Sequence, residues 1–192
     1  IAASERGAVI VSFTFNGLQT NIGAPLTYLM ANKFAADGQP LWGRNGVTVW
    51  NAGFLERGQF PSCASDGRGG AIFVFRTIRP LADVVAQRVN SSGYIAWRKD
   101  GVPVSTEFAI GRAQPTFTVD PVTGDTIVFY IDWRQGEAIC GQKFSLAGAR
   151  LWGDGGLVVK PFGPEAPGGL RSMRQAGEVA LFWGEASPEY PP

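Results

Sequence analysis

The sequence predicts an all-β chain built from tandem repeats, and two observations support that prediction. Glycine and tryptophan recur at one fixed step along the chain, and β-branched and aromatic runs with glycine-containing turns lie between them. No segment shows the sustained 3.6-residue apolar period that an amphipathic helix needs. With 192 residues, 45% of them hydrophobic, the chain can bury a sizeable core and does not belong to the disordered class.

The repeat is defined by a glycine, a tryptophan four residues later and a second glycine four residues after that. Successive copies are 55 residues apart (93 − 38 and 148 − 93). The nine positions are Gly38, Trp42, Gly46, Gly93, Trp97, Gly101, Gly148, Trp152 and Gly156. A residue that is needed once in an active site has no reason to recur in every repeat, so we interpret these nine as structural.

The repeat divides one domain into three whole units, about 1–55, 56–110 and 111–165, and a partial unit at 166–192. Strand signals are clearest in the second unit, which predicts strands at 60–65, 71–77, 84–90 and 94–104, the last of them interrupted by a turn or bulge at Asp100-Gly101. Four short antiparallel strands repeated at this spacing are typical of a β-propeller blade. The sequence therefore predicts a β-propeller-like fold of about three and a half four-stranded blades, which further blades or a partner would complete.

Two copies share the pattern Gln-Arg/Lys-apolar-x3-Gly-x3-Trp-x3-Gly-apolar-x-Val. The pattern runs from Gln87 to Val104 and from Gln142 to Val159, whereas the first copy has Asn32 at the glutamine position. It resembles the tandem repeats of secreted and cell-surface bacterial β-propeller-like proteins. The resemblance implies an extracytoplasmic protein (periplasmic, secreted or at the cell surface), and it brings no catalytic motif.

Composition excludes several function classes. The 17 basic and 16 acidic residues give a net charge of +1, so we expect no nucleic-acid partner. The chain contains no histidine, which removes the usual general base and the usual zinc ligand. No apolar run is long enough for a transmembrane helix. Because phosphate-binding and dinucleotide-binding motifs are also missing, we expect no cofactor, no metal and no enzymatic activity.

The cysteines and the carboxylates carry weaker signals. Cys63 is predicted in the first strand of its unit and Cys140 in the third strand of the next unit. A disulfide needs Cα atoms within about 7 Å, so we expect two free thiols. Asp120, Asp125 and Asp132 form the densest group of carboxylates, but their spacing is not that of a calcium-binding EF-hand loop.

Candidate binding residues are those at which one copy departs from the others. Trp133 and Arg134 lie between the second and third strands of the third unit, and Asn21 lies in a long loop predicted at 16–26 of the first unit. Trp50 and Phe54 occupy a connection between units where the other copies carry different residues. Tryptophan and arginine are frequent in binding hot spots, although each ring could instead fold onto the local core.

Three functions remain open at this point. The first is a non-catalytic binding or assembly module, a subunit or fragment of a larger complex that docks protein partners. The second is a carbohydrate-binding propeller whose loop aromatics stack on sugar rings, and the third is a glycosidase-type enzyme. We favour the first, because an incomplete propeller exposes blade faces and strand edges that natural proteins cover. The cover would come from further blades of the same polypeptide, a second copy or other subunits.

Overall fold

The computed structural model describes residues 1–19, 25–56, 62–79, 82–107, 111–133, 137–163 and 167–185. This part of the chain forms four antiparallel β-sheets, and its helical content is limited to a short 3₁₀ turn at Glu5–Gly7. The predicted all-β class is therefore confirmed. No helix within these ranges is long and apolar enough to cross a membrane.

The sheets follow one another along the chain, and the long strands of each sheet pair with the strands next to them in sequence. Sheet A contains β1 (Ala2–Ala3), β2 (Val9–Gln19), β3 (Pro25–Phe34) and β4 (Val47–Trp50). Sheet B contains β5 (Phe54–Leu55), β6 (Ser62–Ser65), β7 (Ala71–Arg79), β8 (Asp83–Val89) and β9 (Val102–Pro103), with β5 and β6 both paired to β7. Sheet C contains β10 (Arg112–Val119), β11 (Thr126–Asp132), β12 (Ala138–Phe144) and β13 (Leu157–Pro161). Sheet D, as far as the described residues extend, contains β14 (Pro167–Gln175) and β15 (Glu178–Glu185).

Three hydrophobic clusters hold successive sheets together, because alternate side chains of each strand point to opposite faces. The cluster between sheets A and B includes Ile10, Trp50 and Phe73. The cluster between sheets B and C contains more buried residues than the one between sheets C and D, which includes Ile131 and Leu170. Sheet D, with its two strands, thus buries less of its neighbour than the four-stranded sheets bury of theirs.

Two of the predicted elements are wrong in extent. Much of the loop predicted at 16–26 belongs to the hairpin of β2 and β3, in which Asn16 pairs with Thr27. The strand predicted at 94–104, with an interruption at Asp100-Gly101, is limited to β9 after that interruption. The side-chain amide of Gln87 explains why the part before the interruption forms no strand. This amide donates to the carbonyl oxygens of Arg98 (2.6 Å) and Lys99 (3.4 Å), so those carbonyls are bonded to a side chain and not to a strand ladder.

The same buried amide arrangement recurs in three sheets at positions 55 residues apart (87 − 32 and 142 − 87). In each case the side-chain carbonyl accepts a hydrogen bond from the next backbone N–H, and the side-chain NH₂ donates to a carbonyl eleven residues further along. These donor–acceptor pairs are Asn32 to Gly43, Gln87 to Arg98 and Gln142 to Gly153, at 2.9, 2.6 and 2.8 Å. Asn32 in the first copy therefore makes the same two hydrogen bonds as the glutamines of the other two copies.

Both cysteines are free, which confirms the prediction of two unpaired thiols. Cys63 is half-buried and accepts a hydrogen bond from the Ser12 hydroxyl of sheet A at 3.8 Å. Cys140 is buried between sheets B and C. Both thiols therefore pack as small apolar groups between sheets.

Candidate functional site

Each internal interface between four-stranded sheets places one repeat tryptophan on a glycine turn of the next sheet. The indole N–H of Trp42 donates to the Ser91 carbonyl at 3.0 Å, and a Cβ built on Gly93 would lie 2.9 Å from the Trp42 ring. Trp97 repeats both contacts with sheet C, where a Cβ on Gly148 would lie 2.8 Å from the ring. The glycine turn is thus a seat for the tryptophan of the preceding sheet, since any side chain there would collide with the indole.

The first face that lacks such a neighbour is the outer face of sheet A. We define it by Val9, Val11, Phe13 and Phe15 of β2 and by Tyr28, Met30 and Phe34 of β3. Phe13 and Phe15 are 43% and 58% exposed, and their side chains lie with those of β3 on one apolar surface.

Strand register identifies the residues of sheets B and C that are equivalent to those of this outer face. Val9, Ala71 and Thr126 are equivalent, because each pairs with the last residue of the next strand in its sheet. Four residues further along, Phe13 is therefore equivalent to Phe75 of sheet B and to Tyr130 of sheet C, which are 2% and 0% exposed. A preceding sheet buries those two positions, whereas nothing among the described residues covers Phe13.

The opposite end of the chain has an uncovered face as well. Met173 of β14 and Phe182 of β15 are both exposed on the side of sheet D that points away from sheet C. Thr118 and Phe129 hold the equivalent positions of sheet C, and both are buried. The two ends of the chain thus present apolar surfaces that are buried wherever one sheet of the chain follows another.

The structure separates the predicted binding residues. Trp50 is buried between sheets A and B, with its ring centroid 5.6 Å from that of Phe75, so it belongs to the core and not to a binding surface. Phe54 is half-buried in β5. Trp133 directly follows β11 and is 43% exposed, with Gly111 beneath its ring. Arg134 and Asn21 lie outside the described residues.

A buried ionic cluster lies beside Trp133, at the end of the sheets where β7 and β11 finish. The guanidinium of Arg112 is fully buried and donates to Asp83 (2.9 Å), Asp132 (3.1 Å) and the carbonyl of Glu107 (2.9 Å). Burial raises the pKa of Asp83 above its ordinary value, although the hydrogen bond and the charge of Arg112 act in the opposite direction. Because one guanidinium engages both carboxylates, the cluster joins sheet B to sheet C as an internal ion pair network.

The three clustered aspartates of the third unit do not form a cation site. Asp120 pairs with Arg174 at 2.8 Å, Asp125 with Lys143 at 2.9 Å, and Asp132 with Arg112 at 3.1 Å. Hydrogen bonds from the backbone N–H of Val122 are the main reason that the pKa of Asp120 lies below its ordinary value. Within the described ranges, no three metal-ligating side chains converge on one point.

Sequence reasoning did not find the outer face of sheet A. Its residues carry the alternation of an ordinary strand, and only the pairing register shows that the equivalent faces of other sheets are covered. Among the described residues, no tryptophan packs on the glycine turn of sheet A at Gly38. A Cβ built on Gly38 would meet nothing within 4 Å.

No protein-family model matches the chain, and no curated protein matches it in sequence.

Proposed function

We propose that this protein is a non-catalytic assembly module of β-propeller-like construction, which docks protein partners through the two ends of its run of sheets. In this proposal the chain contributes three four-stranded blades and the first half of a fourth. The resemblance of its repeat to secreted bacterial proteins supports a place in an extracytoplasmic complex.

The observation that carries the proposal is the exposure of Phe13 on the outer face of sheet A. Its equivalents Phe75 and Tyr130 are buried by a preceding sheet. An exposed and largely apolar surface of this kind, in which Asn32 is the polar residue opposite Val11, is typical of an interaction site on a folded protein. The outer face also lacks charged side chains among its seven defining residues, which favours close apolar packing over electrostatic capture.

Site-specific photocrosslinking tests the proposal. A benzophenone amino acid is placed at Phe13 or at Phe15 in the cells that make the protein, and irradiation follows. We expect a discrete protein adduct of higher mass from both positions, because a partner covers the outer face. The matched control is Tyr94, which is 72% exposed but lies on a turn away from both ends. If positions 13 and 15 give no more adduct than position 94, the assembly proposal is contradicted.

Carbohydrate binding is the second candidate, and the exposed ring of Trp133 favours it. Aromatic rings with one open face stack on sugars, and the Arg112 cluster fixes the strand ends on which Trp133 stands. A glycan array separates the two candidates. Saturable binding to isolated sugars that Trp133→Ala abolishes supports the carbohydrate function, whereas an array without signal leaves the assembly module.

A further inference from the structure

At the junction of sheets C and D, three features each lack, among the described residues, a contact that the equivalent features of the other sheets make. The first is the edge of β15. The strands equivalent to β15 in sheets A, B and C are β2, β7 and β11, and each of them pairs on both sides. Among the described residues β15 pairs with β14 alone. An unpaired strand edge is a template on which another strand can add through backbone hydrogen bonds.

The second feature is Trp152, the third repeat tryptophan. Trp42 and Trp97 are buried and donate their indole N–H groups to carbonyls of the next sheet. Trp152 is half-buried, and within the described part of the chain its indole N–H has no acceptor. The glycine turn that receives each of the other two rings precedes the fourth strand of a sheet, and the described part of sheet D ends at β15.

The third feature is the side of β13 on which Val159 lies. Val49 of β4 and Val104, two residues after the start of β9, are 1% and 0% exposed. Val159, at the equivalent position of β13 (159 − 104 = 55), is 47% exposed. The following sheet covers the first two valines, whereas the two described strands of sheet D do not cover the third.

We infer that sheet D accepts a β-hairpin from a partner, and that this hairpin has the pattern of the repeat's own third and fourth strands. Its first strand adds to the free edge of β15. Its glycine turn seats Trp152, and its second strand covers Val159. The inference rests on the proposed assembly function and names the chemistry of the partner at this end of the chain.

The chain itself provides a probe with this chemistry. Residues 83–104 contain β8, the turn at Gly93 and β9, which form the second half of sheet B. Gly93 has a φ of +85° and seats Trp42. A labelled synthetic peptide of this segment should add to β15 of the 192-residue protein. Since an isolated hairpin is marginally stable, the peptide folds as it binds, and we expect a dissociation constant of roughly 10–100 µM.

The matched control is the same peptide with Gly93→Val. A β-branched side chain opposes the positive φ and occupies the space of the Trp152 ring, so we expect binding at least about tenfold weaker. Fluorescence polarisation measures the affinities, and hydrogen exchange locates the site. Bound peptide should protect backbone amides in β15 and leave those in β2 unchanged. The protein variant Trp152→Ala, checked for folding by circular dichroism, should weaken binding of the unmodified peptide to a similar extent.

Three results would overturn the inference: no binding at about 200 µM peptide, equal affinity of the Gly93→Val peptide, or protection confined to strands other than β15. These results leave the assembly proposal intact, because the photocrosslinks at positions 13 and 15 probe the opposite end of the chain. If the crosslinks also fail, the assembly function fails with the hairpin.

Discussion

The glycine seat for tryptophan can be measured by one substitution made at three equivalent turns. Gly38, Gly93 and Gly148 have φ angles of +86°, +85° and +86°, so alanine meets the same backbone strain at each position. That strain is about 1–2 kcal/mol for a residue with a Cβ. The surroundings differ, because the new Cβ would lie 2.9 Å from Trp42 at Gly93 and 2.8 Å from Trp97 at Gly148, but meets nothing within 4 Å at Gly38.

Since overpacking in a core costs about 1–3 kcal/mol, Gly93→Ala and Gly148→Ala should each lower the free energy of unfolding by about 2–5 kcal/mol. Gly38→Ala should lower it by the strain alone, about 1–2 kcal/mol. Urea titration followed by tryptophan fluorescence gives the three values, and unchanged slopes would show that the denatured state is comparable. Three losses equal within about 0.5 kcal/mol, or the largest loss at Gly38, would refute the seat.

Three further predictions concern buried polar groups and thiols. Gln142→Leu should lower the free energy of unfolding by about 3 kcal/mol in a urea titration, because buried carbonyl and N–H groups lose their partners; the exposed Gln39→Leu should change it by less than about 0.5 kcal/mol. Burial raises the pKa of Asp83, so its contribution to stability is present in acid and is lost as pH rises above about 4. The stability of wild type relative to Asp83→Asn should therefore fall between pH 4 and pH 7, and a rise would contradict this. Alkylation of the denatured protein without reductant should add two labels in a mass spectrum, at Cys63 and Cys140; an unlabelled protein would show a disulfide.

The repeat could be predicted from the sequence because its residues are chemically unusual and evenly spaced. Each turn needs a glycine because its φ is positive and because a tryptophan packs against it. In the structure Gly93 and Gly148 meet both conditions, and the tryptophan comes from the preceding sheet. The role of Trp50 could not be predicted in this way. Its position lacks tryptophan in the other copies, which suggested a binding residue, but the adjacent sheet places Phe75 against its ring.

Long-range ion pairs were equally invisible in the sequence. Arg112 reaches Asp83 across 29 positions and Asp132 across 20, and no local pattern connects these residues. The exposure of the outer face of sheet A could not be predicted from a local pattern either. It depends on the absence of a neighbour, and a strand's own alternation of residues is the same whether or not a sheet lies on it.

In the proposed assembly, the two ends of the described run of sheets would present different chemistry to a partner. At sheet A, Gly38 is a seat without a tryptophan, so a partner that packs as the internal sheets do brings an indole to that turn. At the junction of sheets C and D, Trp152 is a tryptophan without a seat, so a partner there brings a glycine turn. Sheet B carries both, with Gly93 on the side of sheet A and Trp97 on the side of sheet C. A single partner that covers both ends therefore needs the two-sided character that each internal sheet of this chain already has.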